Sequence, residues 1–95
     1  MKVVFLTEAS QEFEDAARYY EGEEPGLGIR FRNEVNIHIN WITENPTIPR
    51  LRDGSYRRVN LAVFPYYIAY LIKDNTIWVL AIAHGHRRPE YWIDR

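Results

Sequence analysis

The sequence contains no cysteine, which excludes disulfide bonds and thiolate metal ligands. No window approaches the run of about 18 apolar residues that a membrane-spanning helix needs. Met1–Leu6 is followed at once by Thr7-Glu8, too soon for the apolar region of a secretory signal. We therefore expect a cytoplasmic protein without a membrane segment.

The motifs of two common enzyme classes are also missing. Gly26-Leu27-Gly28 lacks the preceding strand and the third glycine of a dinucleotide-binding loop, and there is no Gly-x-Ser-x-Gly nucleophile elbow. His84 and His86 stand two residues apart, but no third ligand follows at a recognisable spacing. We therefore expect neither a metal ion nor a cofactor.

Charge is nearly balanced but unevenly distributed. The formal net charge is −1, which taken alone disfavours nucleic-acid binding. Residues 1–45 contain four basic and nine acidic residues, whereas residues 46–95 contain eight basic and four acidic ones. Seven of those eight basic residues are arginine, which suits bidentate contact with phosphate or carboxylate. Ordinary surface charge and a surface for an anionic partner both remain open.

The composition is that of a folded chain, because 46% of the residues are hydrophobic and 15% are aromatic. A length of 95 residues predicts one domain, 1–95, with a modest core.

Lys2–Leu6 is a short apolar strand, and Thr7 is a plausible N-cap for the helix that follows. Two apolar stripes at helical spacing then predict two helices, the second ending near Asn45-Pro46. The stripes are Ala9, Phe13, Ala16, Ala17 and Tyr20, then Leu27, Phe31, Val35, Ile39 and Ile42, with Ile37 and Trp41 lying off the second.

The stretch Tyr56–Ala83 is dense in β-branched and aromatic residues and is interrupted at Phe64-Pro65 and at Asp74-Asn75. It therefore predicts three antiparallel strands joined by short turns. Both alternating faces of the last two strands are apolar, so both faces of the sheet need covering. The predicted fold class is α+β: an N-terminal strand, an α-helical hairpin and a three-stranded antiparallel meander that completes a small mixed sheet.

Arginine, histidine and tyrosine side chains cluster around the meander and the tail that follows it. Metal-free cleavage of RNA needs a proton acceptor, a proton donor and cations at the phosphate, which such residues can supply. Alternatively, the arginines pair with acidic helix residues or with an acidic partner. The first and third meander strands run in the same direction, so Arg57 and Arg58 should start far from His84 unless the tail folds back. The aromatic residues of the strands fit core packing better than a base-stacking platform.

The order of these elements, together with three sequence patterns, resembles the RelE/ParE superfamily of bacterial toxins. The resemblance covers nearly the whole chain. It implies the toxin half of a type II toxin–antitoxin module, associated with growth inhibition and plasmid stabilisation, whose cognate antitoxin wraps the toxin. The patterns are Phe64-Pro65-Tyr66-x-Ile68-x-Tyr70, Ile77-x-Val79-Leu80-x-Ile82-x-His84 and Arg87-Arg88-Pro89-x-Tyr91-Trp92.

The superfamily divides into ribosome-dependent mRNA endonucleases, which are RelE-like, and gyrase poisons, which are ParE-like. The RelE-like alternative implies that Arg58, Arg87 and Tyr91 are catalytic, although Asn60 and Tyr67 occupy two positions that are basic in such enzymes. The turn and tail are more similar to the ParE-like branch, which implies a toxin that binds DNA gyrase without hydrolysing anything and meets DNA only through its antitoxin. A non-toxic antitoxin-binding protein is a third possibility. The target-binding candidates are Arg57, His84, His86, Arg88 and Trp92.

Overall fold

The computed structural model describes residues 1–95 and contains two helices and four strands. The strands form one mixed sheet in the order β1-β4-β3-β2. β1 runs parallel to β4, and the other neighbouring pairs are antiparallel. The predicted α+β fold class is therefore confirmed. The elements are β1 Lys2–Phe5, α1 Thr7–Glu23, α2 Leu27–Glu44, β2 Arg57–Asn60, β3 Tyr66–Lys73 and β4 Thr76–His84.

The turn between β3 and β4 follows from its two residues. Asp74 and Asn75 have φ values of 55° and 56°, the left-handed pair that a two-residue hairpin needs. Asp and Asn tolerate this conformation better than most residues because their short polar side chains bond locally to the backbone. The sequence-based prediction of a tight turn here is confirmed.

The helical hairpin covers one face of the sheet. Phe31, Val35 and Ile42 of α2 are fully buried, and they pack with small residues of α1 and apolar residues of the strands. The helices approach closely at Gly28, where an added Cβ would lie only 2.6 Å from the carbonyl oxygen of Ala17. Any larger residue at Gly28 would push the helices apart.

Two boundaries differ from the sequence-based predictions. Thr7 is the first residue of α1, while Leu6 is the N-cap residue and forms no side-chain capping bond. The first meander strand is also shorter than predicted and spans Arg57–Asn60. Its end is set by a compact loop in which the Leu61 N–H donates to the Tyr66 carbonyl at 2.9 Å.

The second face of the sheet is covered in part by the chain itself. Trp92 in the C-terminal tail is 1% exposed and packs into a second buried cluster that includes Tyr56 and Tyr67. The Trp92 indole N–H donates to the Tyr67 hydroxyl at 2.9 Å, and the Tyr56 ring lies edge-on at 4.6 Å. The tail therefore supplies much of the cover that this face requires.

The apolar residues that lie off the stripe of α2 remain on the surface. Ile37 is 65% exposed and Trp41 is 40% exposed. Neither helix is both long enough and apolar enough to cross a bilayer.

Candidate functional site

Arg58 lies closer to the end of β4 than its sequence position suggested. β2 is short and pairs with the first half of β3, so Arg58 lies opposite Ala69 and Asn60 opposite Tyr67. In the next ladder Tyr67 pairs with Ala83, the residue before His84. The expectation that Arg58 and His84 start at opposite ends of the sheet is therefore wrong, because a four-residue strand reaches only one half of its longer neighbours.

The Arg58 side chain is held by its own neighbours. Its guanidinium carbon lies 3.9 Å from the centre of the Tyr67 ring, and one terminal nitrogen donates to Asn60 Oδ1 at 3.0 Å. The Nε–H is buried and has no partner, which is uncommon for a charged group. The neighbouring cavity, about 260 Å³ in volume, also reaches Tyr66 and Gly85. Arg58 thus stacks on Tyr67 and leaves its buried Nε–H without a partner.

The end of β4 carries an exposed basic turn. Here we define it as His86, Arg87 and Arg88, all of which are exposed. The His86 backbone N–H donates to His84 Nδ1 at 3.0 Å, and the two imidazole rings lie 5.0 Å apart. The His84 ring also packs edge-on against Tyr66 at 5.1 Å. His84 therefore anchors the turn, from which the exposed side chains of His86 and Arg88 extend.

A cavity of about 210 Å³ lies between α1 and the end of β4. The structure brings His84, Arg87 and Tyr91 together along this cavity, as the clustering of these residue types in the sequence suggested. Acidic residues of α1, Glu12 and Asp15, complete the wall. The cavity therefore combines cationic, carboxylate and phenolic groups.

Glu12 is the residue that sequence reasoning missed. Its carboxylate accepts the Tyr91 hydroxyl at 2.5 Å and both terminal nitrogens of Arg95 at 2.9 Å, and Arg87 lies 3.8 Å away. A signal was present: Glu12 follows Ala9 by three residues and precedes Ala16 by four, so it shares the apolar side of α1. A carboxylate at such a position needs a cationic or hydrogen-bonding partner.

Tyr91 is poorly suited to accept a proton. Burial and, to a lesser extent, its hydrogen bond to Glu12 raise the pKa of the Tyr91 phenol far above its usual range. One face of its ring is stacked by the Arg87 guanidinium at 3.7 Å. Tyr91 is therefore a neutral phenol that donates to Glu12, and this bond ties the tail to α1.

The remaining candidates occupy different positions. Arg57 donates from Nε to the Pro49 carbonyl at 2.9 Å, which ties β2 to the preceding loop. Trp92, predicted as a target-binding residue, is 1% exposed, because its indole completes the second core cluster. Nearby, the Tyr56 hydroxyl donates to the Glu90 carboxylate. Burial is the main cause that raises the pKa of Tyr56 to about 12, and this hydrogen bond is the second cause. No group of three or more His, Cys, Asp or Glu side chains is arranged to hold a metal ion.

Comparisons with known proteins identify the fold and the family. The model of a family described as "ParE toxin of type II toxin-antitoxin system, parDE" matches residues 3–89. The chain belongs to the ParE toxin family. A solved chain described as "Chromosomal ParDE TA system from P. aeruginosa" superimposes with a TM-score of 0.77 at 15% sequence identity, over 88% of this chain and 95% of that chain. A search of curated proteins found no similar sequence.

Membership of the ParE toxin family confirms the resemblance to the RelE/ParE superfamily. The likeness to the P. aeruginosa chain shows the fold alone, because its sequence identity is low. As a toxin of a type II system, the protein has an antitoxin as its partner.

Proposed function

We propose that this ParE-family toxin acts in the cytoplasm, inhibits DNA gyrase through the basic turn at the end of β4, and is neutralised by its cognate antitoxin. The observation that carries the proposal is the contrast between two groups of candidates. His86 and Arg88 project into solvent, whereas Arg58 and Tyr91 are held by contacts within the chain. Exposed polar and charged side chains on an anchored turn suit recognition of a partner better than they suit catalysis.

The state of Tyr91 also favours inhibition without hydrolysis. Cleavage at a 2′-hydroxyl needs a group that takes a proton, ideally one with a pKa near the working pH. The Tyr91 hydroxyl donates a hydrogen bond to Glu12, and the pKa of its phenol is raised further from neutrality, so Tyr91 is not suited to be that proton acceptor. Arg87 lies 3.8 Å from the same carboxylate. The negative charge of Glu12 therefore offsets part of the positive charge that Arg87 would otherwise offer to a phosphate.

A gyrase supercoiling assay with purified protein tests this proposal. We expect the double variant His86→Ala/Arg88→Ala to raise the half-inhibitory concentration by about tenfold or more, because loss of a single hydrogen bond from the charged Arg88 corresponds to about 1.5–3 kcal/mol. Arg30→Ala, which changes an exposed arginine on α2, is the matched control and should behave like the wild type. Supercoiling that persists at high excess of the wild-type protein would contradict the proposal.

The second candidate function, ribosome-dependent mRNA cleavage, is favoured by one observation. Arg58 lines a cavity and retains a donor without a partner, and that cavity shares Tyr66 with the cavity lined by Arg87. If the protein were RelE-like, Arg58→Ala would abolish mRNA cuts in a translating extract. The gyrase proposal expects no such cuts with the wild-type protein.

The antitoxin surface proposed here is the groove between α2 and β2. This groove, about 270 Å³ in volume, is lined mainly by Ile37, Trp41 and Val59. β2 is an edge strand of the sheet, so its outer backbone groups can pair with an added strand. Arg57 lies two residues before Val59 and therefore on the same face of β2, where it adds a positive charge beside the groove that complements an acidic, amphipathic partner segment.

A further inference from the structure

β4 extends beyond the strand that covers its outer edge. β1 ends at Phe5, which pairs with Val79, and the Leu6 N–H then donates to the Val79 carbonyl at 3.0 Å. From Leu80 to His84 this edge has no neighbouring strand. Unpaired edges of this kind attract strands from other chains unless they are covered.

Two charged side chains cover this edge. Arg95 donates from Nη1 to the Leu80 carbonyl at 3.1 Å, and Glu12 Oε1 accepts the Ile82 backbone N–H at 3.2 Å. The Arg95 guanidinium and the Glu12 carboxylate also bind each other through two contacts of 2.9 Å. The ion pair thus reproduces the alternating acceptor and donor that a neighbouring strand would present. Both side chains are more than four-fifths buried, with 17% and 16% of their surfaces exposed.

The same pair fixes the tail. Glu12 accepts the Tyr91 hydroxyl at 2.5 Å, and the next residue, Trp92, is the buried indole of the second core cluster. Arg87 of the basic turn stacks on the Tyr91 ring at 3.7 Å. The position of the turn therefore depends on a carboxylate of α1, more than seventy residues earlier in the chain.

We propose that Glu12 and Arg95 form a latch that positions the basic turn for its target and keeps the open edge of β4 closed. The proposal rests on the proposed function insofar as the turn is the target-binding surface. Glu12 is a positioning residue, since it acts through Tyr91 and Arg95. The antitoxin groove between α2 and β2 lies across the sheet from the latch, so opening the latch should separate toxicity from antitoxin binding.

The test compares two arginine–glutamate pairs of the same chemistry. Glu12→Ala and Arg95→Ala open the latch, and Glu12→Gln keeps the side-chain size while removing the charge. Glu14→Ala and Arg32→Ala are the matched controls, because Arg32 binds Glu14 through two contacts of 2.9 and 2.6 Å on a more exposed surface away from the tail. Circular dichroism establishes that each variant is folded.

For the latch variants we expect amide exchange at Ile82 to accelerate at least about tenfold. We also expect the inducer concentration needed for growth arrest to rise about tenfold, with antitoxin affinity changed by less than about twofold. The controls should match the wild type in all three measurements. Unchanged exchange at Ile82 would overturn the latch, and full growth arrest by a variant with accelerated exchange would overturn its positioning role. If wild-type protein spares gyrase while the latch variants lose growth arrest, the proposed target is wrong and the latch stands.

Discussion

Trp92→Ala should lower the free energy of unfolding by about 3–5 kcal/mol, the usual cost of truncating a buried aromatic residue. The indole is 1% exposed, packs edge-on against Tyr56 and donates to the Tyr67 hydroxyl. Its removal would leave a cavity on the second face of the sheet, and the Tyr67 hydroxyl would lose the indole N–H that donates to it. Small domains are stable by only about 5–15 kcal/mol, so the loss would be a large part of the total. Urea denaturation followed by far-ultraviolet circular dichroism measures it.

The neighbouring residue supplies the control for this prediction. Ile93 is 39% exposed, so Ile93→Ala should change the free energy of unfolding by no more than about 1 kcal/mol. Trp92→Phe should lie between the two variants, because it keeps an aromatic ring and loses the indole N–H. A Trp92→Ala protein as stable as Ile93→Ala would show that the tail does not pack on the sheet.

Trp41→Ala should weaken antitoxin binding by about tenfold to a hundredfold, which corresponds to about 1.4–2.8 kcal/mol at an interface hot spot. Trp41 is 40% exposed in the free toxin and lines the groove between α2 and β2. Because aromatic side chains at the centre of an interface bury large areas, they commonly dominate affinity. Isothermal titration calorimetry with the purified antitoxin gives the dissociation constant.

Ile29→Ala is the matched control for Trp41→Ala. Ile29 lies on the same helix and is 62% exposed, but it lines a different cavity beside α1. We expect its affinity for antitoxin to equal that of the wild type and both variants to retain wild-type stability. Equal loss of affinity in the two variants would place the antitoxin elsewhere on the toxin.

Local signals predicted most of the fold. Apolar spacing defined both helices because a helix repeats its contacts every three to four residues. Asp74-Asn75 marked the hairpin because those two residues accept the left-handed conformation that the turn requires. Each of these signals lies within one element, so the sequence is sufficient to read it.

Contacts between distant segments could not be predicted in the same way. Trp92 looked like a surface residue because its partners, Tyr56 and Tyr67, lie more than twenty residues away. Glu12 and Arg95 are 83 residues apart, and nothing in their local sequences specifies that they meet. The candidate site is made almost entirely of such contacts. The residue types therefore indicated which residues belong to the site, but they did not indicate what each residue contacts there.

Pulse labelling of DNA and protein synthesis, immediately after the chain is induced without its antitoxin, tests the central claim most directly. We predict that DNA synthesis falls first, with loss of plasmid supercoiling or with double-strand breaks. An early fall in protein synthesis with ribosome-phased mRNA cuts would contradict it in favour of the endonuclease. If neither synthesis falls, the chain serves only as an antitoxin-binding protein, and the claim of gyrase inhibition is wrong.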